Sequence, residues 1–288
     1  MKKHGYAFLL LAPCLVLIGG FVYLPIIVTF GYSLKYYKLT EPLDEKFIGL
    51  QNYQTLLTSS DFQITLANSA IILALLLAFG LVLSIAVALV LQKKTRLTPL
   101  LTAVTIIPWA LPPLVNGVIW KFIFFSGYGL LNKVLLTFGL IDAPVAWTNN
   151  RYLLLAIVAI VVIWRSVPFG AVVILANLQN IPRSYYETLY LDGGTPYQAF
   201  RHITLPLIVP SLAIVMINFI NTAVNVFDEI IALSGYKFEG QTLAVYSYMT
   251  TFNFLDFGLG SAVSYTTMII AGLLGYFYIR HMSLEKIY

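Results

Sequence analysis

The sequence has few charged residues and a single cysteine. Only 10% of its 288 residues are Asp, Glu, Lys or Arg, whereas a soluble domain has roughly 25%. Its 59% hydrophobic content is more than a water-soluble core of this size buries, so lipid must cover part of the surface. The lone Cys14 excludes an internal disulfide and a cysteine metal cluster. The low charge content and the high hydrophobic content together predict an integral membrane protein.

The sequence also lacks the motifs of several enzyme classes. It has no G-x-x-x-x-G-K-[ST] phosphate-binding loop, so we expect no ATP hydrolysis on this chain. The three histidines are dispersed and no nucleophile motif lies in an apolar run, so we predict no catalytic residue and no metal site. The net charge of +5 comes from basic residues scattered between apolar runs, which indicates a role in membrane topology and not nucleic-acid binding.

Long apolar runs are abundant. A bilayer-spanning helix needs about 20 mostly apolar residues. We therefore predict an all-α fold, a polytopic membrane protein with six transmembrane helices in a single domain covering residues 1–288. The predicted spans are Tyr6–Leu34, Ile64–Leu91, Leu100–Phe124, Tyr152–Leu178, Leu205–Leu233 and Gly260–Met282. Pro108, Pro112 and Pro113 predict a kink in the third of these.

Basic residues predict the orientation of the chain. Cytoplasmic segments of membrane proteins carry an excess of Lys and Arg close to helix ends. Lys93, Lys94 and Arg96 directly follow the second predicted span, which favours a cytoplasmic position for that end. Both termini and the segment 179–206 are then expected in the cytoplasm.

The segment 179–206 combines helix-start and helix-stop signals. Ser184 and Glu187 have the spacing of a capping box. Gly193 stands where a left-handed residue ends a short helix. Thr195 followed by Pro196 and Gln198 predicts a second helix, running towards His202 before Leu205-Pro206 opens the fifth span.

This helix–turn–helix is expected at the membrane surface. Its predicted apolar face consists of Tyr186, Leu189, Tyr190 and Phe200. The residues alone leave two interpretations open, a stiff connector in which Glu187 only caps a helix, or a docking element for a soluble partner.

One face of the fifth predicted span is polar. Asn218, Asn221, Asn225 and Glu229 recur at i, i+3, i+7 and i+11, with Thr222 beside them. Such groups are costly against lipid, so the stripe must face protein or a water-filled path. Amides both donate and accept hydrogen bonds, which suits sugar hydroxyls. Interhelical hydrogen bonding is the equally weighted alternative.

Arg165, in the fourth predicted span, is another costly charge. It can pair with an acid on another helix or contact a substrate, and we favour the pairing. Lys121, near the end of the third span, can extend its ammonium group to the surface.

The 179–206 segment resembles a known motif. Glu187, Gly193, Ile203, Leu205 and Pro206 match the spacing E-A-A-x3-G-x9-I-x-L-P of the EAA loop in permease subunits of binding-protein-dependent ABC importers. The stretches "NVFDEIIALSG" and "FLDFGLGSAVSY" are similar to the carbohydrate-uptake branch, which includes the maltose and glycerol-phosphate permeases. Thr188-Leu189 stands where the family has an alanine pair.

The resemblance implies a function and a set of partners. The EAA loop of that family is a coupling helix that sits in a cleft of an ATPase subunit. The implied coupling residues here are Arg183, Glu187, Asp192, Gly193, Arg201, Leu205 and Pro206. The implied partners are a second, homologous permease forming a heterodimer, two ATPase subunits, an extracytoplasmic solute-binding protein and membrane lipid.

The resemblance also implies where the cofactor and the cargo lie. ATP-Mg would be bound by the partner subunits and no cofactor by this chain. The expected activity is import of an oligosaccharide or related polyol across a bacterial plasma membrane. The alternative is a secondary, ion-coupled transporter, which needs an inverted repeat and a mid-membrane ion site that the sequence does not suggest.

Overall fold

A computed structural model of the chain describes residues 2–93 and 95–284. Its contacts divide the chain into two compact units, one containing the residues up to Gln63 together with Tyr246–Ile269, the other containing Ile64–Val245 and the residues from Ile270 onward. The single-domain organisation expected from the sequence stays a prediction.

The first unit contains the first apolar helix and a small hairpin. Helix α1 (Lys2–Ile18) continues through a π-helical turn, Gly19–Tyr23, into α2 (Leu24–Ser33). Strands β1 (Lys35–Tyr36) and β2 (Lys46–Phe47) pair antiparallel and lead to α3 (Gln51–Thr58). The buried amide of Asn52 donates to the carbonyls of Ser33 and Lys35 at 2.9 and 2.8 Å, which fixes the chain between α2 and β1.

The remaining elements follow in chain order. They are α4 (Ser60–Leu75), a π-helical turn (Leu76–Gly80), α5 (Leu81–Gln92), α6 (Thr98–Ala110), α7 (Pro113–Phe124), α8 (Leu130–Thr137), α9 (Arg151–Leu178), α10 (Arg183–Leu191), α11 (Pro196–Ala199), a π-helical turn (Phe200–Thr204), α12 (Leu205–Val224), α13 (Asp228–Ser234), α14 (Leu243–Tyr248), a π-helical turn (Met249–Asn253) and α15 (Phe257–Leu284). The all-α fold class is confirmed, with the two-residue strands as a minor addition.

Helix α9 forms the core of the second unit. It begins where the Asn150 side chain accepts hydrogen bonds from the backbone N–H groups of Tyr152 and Leu153. Its side chains are largely buried and it packs on α5, α6 and α12. A Cβ on Gly170 would lie 2.5 Å from Oγ of Ser84, so the absence of a side chain there permits the close approach of α9 and α5.

Five continuous helical stretches within the described residues are long and apolar enough to cross a membrane. They are Leu10–Ser33, Ser60–Gln92, Arg151–Leu178, Pro196–Val224 and Phe257–Tyr278. The predicted third span is instead the pair α6 and α7, which are bent by 99°. The pair counts as a sixth span if both halves are taken together.

The expected kink is therefore a break, and the two consecutive prolines explain it. A residue before proline is pushed out of the helical region towards extended conformations. Leu111 precedes Pro112 and has ψ 135°, and Pro112 precedes Pro113 and has ψ 141°. Two extended residues in succession end α6, and Pro113 then starts α7 at the position where proline is tolerated.

The predicted fifth span, Leu205–Leu233, is wrong at its C-terminal end. Helix α12 ends at Val224, and α13 begins separately at Asp228. Asn225 terminates α12 with φ −102° and Phe227 has φ −135°, so the helix cannot continue through these residues. The carbonyl of Val226 accepts a hydrogen bond from the buried Thr242 hydroxyl.

Candidate functional site

Helix α10 opens the segment that carries the predicted coupling residues. The sequence prediction that Ser184 caps this helix is wrong, because the helix begins two residues earlier than that cap requires, at Arg183, with Pro182 at the N-cap. No side chain caps this end. Ser184 and Glu187 therefore lie within the helix, and the Glu187 side chain is exposed to solvent and not used as a cap.

Two glycines end α10 in a Schellman turn. The N–H of Gly194 donates to the Leu189 carbonyl at 2.8 Å, and the N–H of Gly193 donates to the Tyr190 carbonyl at 3.1 Å. Gly193 has φ 78°, which confirms the predicted left-handed cap. A Cβ on Gly194 would lie 2.5 Å from Cγ of Leu189, so this position also excludes a side chain. The sequence predicted a turn at the Gly193-Gly194 pair, but not that Gly194 excludes a side chain.

Thr195 restarts the helix with the predicted capping box. Its hydroxyl accepts from the backbone N–H of Gln198 at 3.3 Å, and its own N–H donates to the Gln198 side chain at 2.7 Å. The helix that follows is continuous from Pro196 to Val224 over 29 residues, so the expected separate short helix before the fifth span is wrong.

A π-helical turn keeps this helix continuous. The N–H of Leu205 donates to the Phe200 carbonyl, five residues back, immediately before Pro206. Proline lacks an N–H, and a wide turn is a common way for a helix to absorb that irregularity. Leu205 is partly buried and Pro206 is exposed, both in the first turn of α12.

A hydrogen bond joins α10 to this π-helical turn. The Tyr186 hydroxyl lies 3.0 Å from Oγ1 of Thr204, which is itself buried. Tyr186, Leu189 and Phe200 are partly buried, so only Tyr190 of the four residues of the predicted apolar face is exposed. The exposed apolar surface consists of Tyr185, Tyr190, Leu191 and Tyr197.

The charged residues of the segment face solvent. Arg183, Glu187, Asp192 and Arg201 are all exposed, and within residues 2–93 and 95–284 none of them forms an ion pair. Arg201 donates a hydrogen bond to the Tyr197 hydroxyl at 3.4 Å. The segment therefore presents a rigid backbone, exposed aromatic rings and unneutralised charges of both signs.

Arg165 and Glu229 form a buried ion pair in the same unit. Nε of Arg165 lies 2.9 Å from Oε1 of Glu229, linking α9 to α13. The Glu229 side chain is 3% exposed and that of Arg165 is 20% exposed. The favoured expectation of an acidic partner for Arg165 is confirmed, whereas the placement of Glu229 on a common face with Asn218 is wrong, because the two residues belong to different helices.

Close packing against α7 holds this pair in place. A Cβ on Gly117 would lie 2.6 Å from the Cβ of Ala232 and 3.0 Å from the Cα of Glu229. The Asn116 amide donates to the Val161 carbonyl of α9 at 3.3 Å. Trp120 packs edge-on against Trp164 with ring centroids 5.7 Å apart. Helices α7, α9 and α13 therefore form one tight cluster around Glu229.

The predicted amide stripe occupies the end of α12. Asn225 donates from its side chain to the Asn221 carbonyl at 2.8 Å and to the Asn221 side-chain oxygen at 3.0 Å. Both residues are exposed, whereas Asn218 and Thr222 are partly buried. Asn221 and Asn225 thus contact each other, whereas Glu229 lies on α13 and pairs with Arg165. No group of three or more metal-ligating side chains occurs among the described residues.

A family model matches most of the second unit and residues 246–269 of the first unit. Residues 80–283 match the family described as "Binding-protein-dependent transport system inner membrane component". This range includes the 183–206 segment and the buried ion pair.

Several characterised proteins are similar over nearly the whole chain. The trehalose/maltose transport system permease protein MalF of Thermococcus litoralis is 31% identical over 271 residues, covering 93% of this chain and 90% of the relative. The sulfoquinovosyl glycerol transport system permease protein SmoG of Agrobacterium fabrum is 32% identical, with 95% and 89% covered. The inner membrane ABC transporter permease protein YcjO of Escherichia coli is 32% identical, with 92% and 90% covered.

A solved structure has the same fold. A chain of a bacterial ABC transporter involved in the import of the acidic polysaccharide alginate superposes with a TM-score of 0.84 and 21% identity, covering 99% of this chain and 98% of that chain. At this level of identity the likeness concerns the fold.

Proposed function

The chain belongs to the family of binding-protein-dependent transport system inner membrane components, and from this premise we propose that it is the permease subunit of an ABC importer for a carbohydrate. It is a multi-pass membrane protein and a transport subunit, not an enzyme. The relatives named for trehalose, maltose and sulfoquinovosyl glycerol support a carbohydrate as the cargo. Family membership argues against the ion-coupled transporter.

The coupling role belongs to residues 183–206 in this proposal. The observation that carries it is the continuity of the helix Pro196–Val224, which joins the surface segment to the membrane interior without a break. The Tyr186–Thr204 hydrogen bond ties α10 to the same helix. A force applied to α10 by an ATPase subunit would therefore be transmitted to the amides near Asn225.

The proposed docking surface combines exposed aromatic side chains with charged residues. Tyr185, Tyr190 and Tyr197 supply exposed rings of the type that anchors protein interfaces. Arg183, Glu187, Asp192 and Arg201 supply charges that a partner can pair. The Schellman turn at Gly193 and Gly194 fixes the angle between the two helical parts. Leu205 and Pro206 complete the segment at the first turn of α12.

The transport machine that we propose has four further components. A second, homologous permease subunit would pair with this chain as a heterodimer, because six spans are few to enclose a sugar path. Two ATPase subunits would bind ATP-Mg and supply the energy, and an extracytoplasmic solute-binding protein would deliver the sugar. The chain would lie in a bacterial plasma membrane with both termini and the coupling segment in the cytoplasm.

The substrate path is proposed along the polar end of α12. Asn218, Asn221, Thr222 and Asn225 offer donors and acceptors to sugar hydroxyls. Arg165 and Glu229 bind each other. We therefore assign them a structural role in the wall of the path.

The decisive experiment reconstitutes the chain with its ATPase and permease partners and measures ATP hydrolysis stimulated by the binding protein across a panel of sugars. Stimulation by at least one sugar is expected, and no stimulation by any sugar would contradict the carbohydrate assignment. Glu187→Ala and Gly193→Asp should weaken ATPase association while the chain still inserts. The control is Glu239→Ala, which removes an exposed carboxylate outside the segment. Normal ATPase binding and uptake in both segment variants would reduce the segment to a stiff connector.

A further inference from the structure

A polar cavity lies at the end of α7. It has a volume of about 370 Å³. Its walls come from three separate stretches, namely the end of α7 and the residues after it, the turn before α9, and the end of α13 with the residues after it. Lys121 and Lys237 both line it, and no acidic side chain does. The size is at the lower end of the range for small-molecule sites, roughly 300–1,000 Å³.

The cavity and the coupling segment lie at opposite ends of α9. Thr148 and Asn149, which line the cavity, come just before α9 begins at Arg151, whereas α10 follows the other end of α9. With a rise of about 1.5 Å per residue, the 28 residues of α9 extend over about 42 Å, which exceeds the hydrocarbon thickness of a bilayer. The cavity therefore lies on the membrane face opposite the coupling segment.

The two lysines have no carboxylate partners. Among residues 2–93 and 95–284 the ion pairs are Lys35–Glu45 and Arg165–Glu229, so neither Lys121 nor Lys237 is neutralised. Lys237 donates to the Asn149 side-chain oxygen at 3.3 Å. A single lysine extending to the membrane surface needs no ligand to explain it. Two lysines converging on one concavity from different stretches produce a local positive potential that attracts anions.

Aromatic side chains form part of the cavity wall and pack on further aromatic rings around it. Phe124 stacks on Trp120 with an interplanar angle of 16° and contacts Trp147 edge-on. Phe125 packs against Tyr128 with ring centroids 4.4 Å apart, and its carbonyl accepts the N–H of Gly129 at 2.9 Å. Lys121 and Lys237 are exposed, so an anion can reach both ammonium groups from solvent and interact with the two positive charges together.

We propose that this cavity binds an oxyanion-bearing group, a carboxylate, sulfonate or phosphate ester, between Lys121 and Lys237. Hydroxyl groups of Ser126 and Thr148 lie in the same walls and can donate to the remaining oxygens, whereas the Ser234 hydroxyl donates to the Ile230 carbonyl at 3.2 Å. The group can come from an acidic sugar or from the headgroup of an anionic lipid. The binding does not depend on the proposed import activity, since it requires neither ATP nor the partner subunits.

The test uses the full chain in lipid nanodiscs. In the first arm, discs of phosphatidylcholine are titrated calorimetrically with glucuronate and, separately, with glucose. In the second arm, discs with and without phosphatidylglycerol are compared for the thermal stability of the chain. The variant Lys121→Gln/Lys237→Gln is compared with Lys133→Gln, which removes an exposed positive charge from α8 outside the cavity.

Glucuronate, but not glucose, should bind to wild type and Lys133→Gln, and about tenfold or more weakly to the double variant, because it loses charge-assisted hydrogen bonds. This result assigns the anion to an acidic sugar. Stabilisation by phosphatidylglycerol that the double variant loses, without glucuronate binding, assigns it to a lipid headgroup. The proposal is overturned if neither probe separates wild type from the double variant, or if Lys133→Gln loses as much binding. If the double variant does not fold, the two single variants are compared in the same way.

Discussion

The Nε atom of Arg165 lies 2.9 Å from Oε1 of Glu229, although the two residues are 64 positions apart in the sequence. This contact joins the middle of α9 to a short helix that follows the fifth span. It places the buried carboxylate of Glu229 against the guanidinium of Arg165, which is only partly exposed.

Removing either partner of this pair should destabilise the protein, and removing Arg165 should cost more than removing Glu229. Arg165→Met leaves a nearly inaccessible carboxylate unpaired and should cost about 3–5 kcal/mol. Glu229→Gln leaves a cation with 20% of its side chain exposed, so the cost should be smaller. Heat-induced loss of the monomer peak in size-exclusion chromatography measures both variants. Arg165→Met/Glu229→Leu should recover part of the loss, and equal losses in the two single variants would contradict the assigned asymmetry.

The Schellman turn should tolerate no side chain at either glycine. Gly193→Ala forces a left-handed backbone on a residue with a Cβ and should cost about 1–2 kcal/mol. Gly194→Ala brings a Cβ within 2.5 Å of Leu189 Cγ and 2.7 Å of its carbonyl oxygen, and should cost about 1–3 kcal/mol.

Thermal unfolding measures these changes, and limited proteolysis reports cleavage near residues 189–195. Gly272→Ala, in α15, is the control, because a Cβ there has open space. Adding Leu189→Ala to Gly194→Ala should relieve only the side-chain part of the overlap. An unchanged proteolysis pattern in both glycine variants would show that the turn does not depend on them.

Tyr186→Phe tests the hydrogen bond that links α10 to the long helix. It removes the 3.0 Å contact with Thr204 and should cost about 0.5–1.5 kcal/mol of local stability. In the reconstituted transporter, the ATPase should still associate, while hydrolysis stimulated by the binding protein should fall several-fold. Tyr152→Phe, at an exposed ring in the first turn of α9 outside the segment, is the matched control. The link has no part in coupling if the two variants behave alike.

Asn221→Ala and Asn225→Ala test the proposed path. Both side chains are exposed, so the substitutions should leave folding and ATPase association unchanged. Uptake should fall about tenfold in each, because a carbohydrate hydroxyl would lose its hydrogen-bond partner. Asn180→Ala, which removes an exposed amide between α9 and α10, should have no effect on uptake. Unchanged uptake in Asn221→Ala and Asn225→Ala would exclude these amides from the path.

The sequence predicted most of the helices because lipid imposes a simple requirement. A span needs about 20 apolar residues in one run, and such runs need no knowledge of tertiary contacts. The Thr195 capping box and the left-handed Gly193 were predictable for a similar reason, since each depends on residues within one turn. The family motif predicts a coupling role for Glu187, which the local pattern left open and which stays a prediction.

The sequence predictions are wrong where contacts between distant parts of the chain determine the structure. Apolar residues surround Asn225, Asp228 and Glu229, so mean hydropathy alone extended the fifth span to Leu233 and placed Glu229 on the wrong helix. The pairing of Glu229 with Arg165 depends on the approach of α13 to α9, which no local spacing reveals. Ser184 has the residue type and spacing of a cap, but Pro182 starts the helix too early for it to act as one.

The length of the continuous helix Pro196–Val224 lets a small rotation at one end move the other end by several ångströms. At about 1.5 Å per residue its 29 residues form a rod about 43 Å long, with the Gly193-Gly194 turn at one end and Asn225 at the other. If such a rod pivots at the turn by about 5°, its far end travels roughly 4 Å, about the width of one sugar hydroxyl and its hydrogen bond. A small angular change at the surface is thereby enlarged into a displacement that can make or break a contact in the membrane.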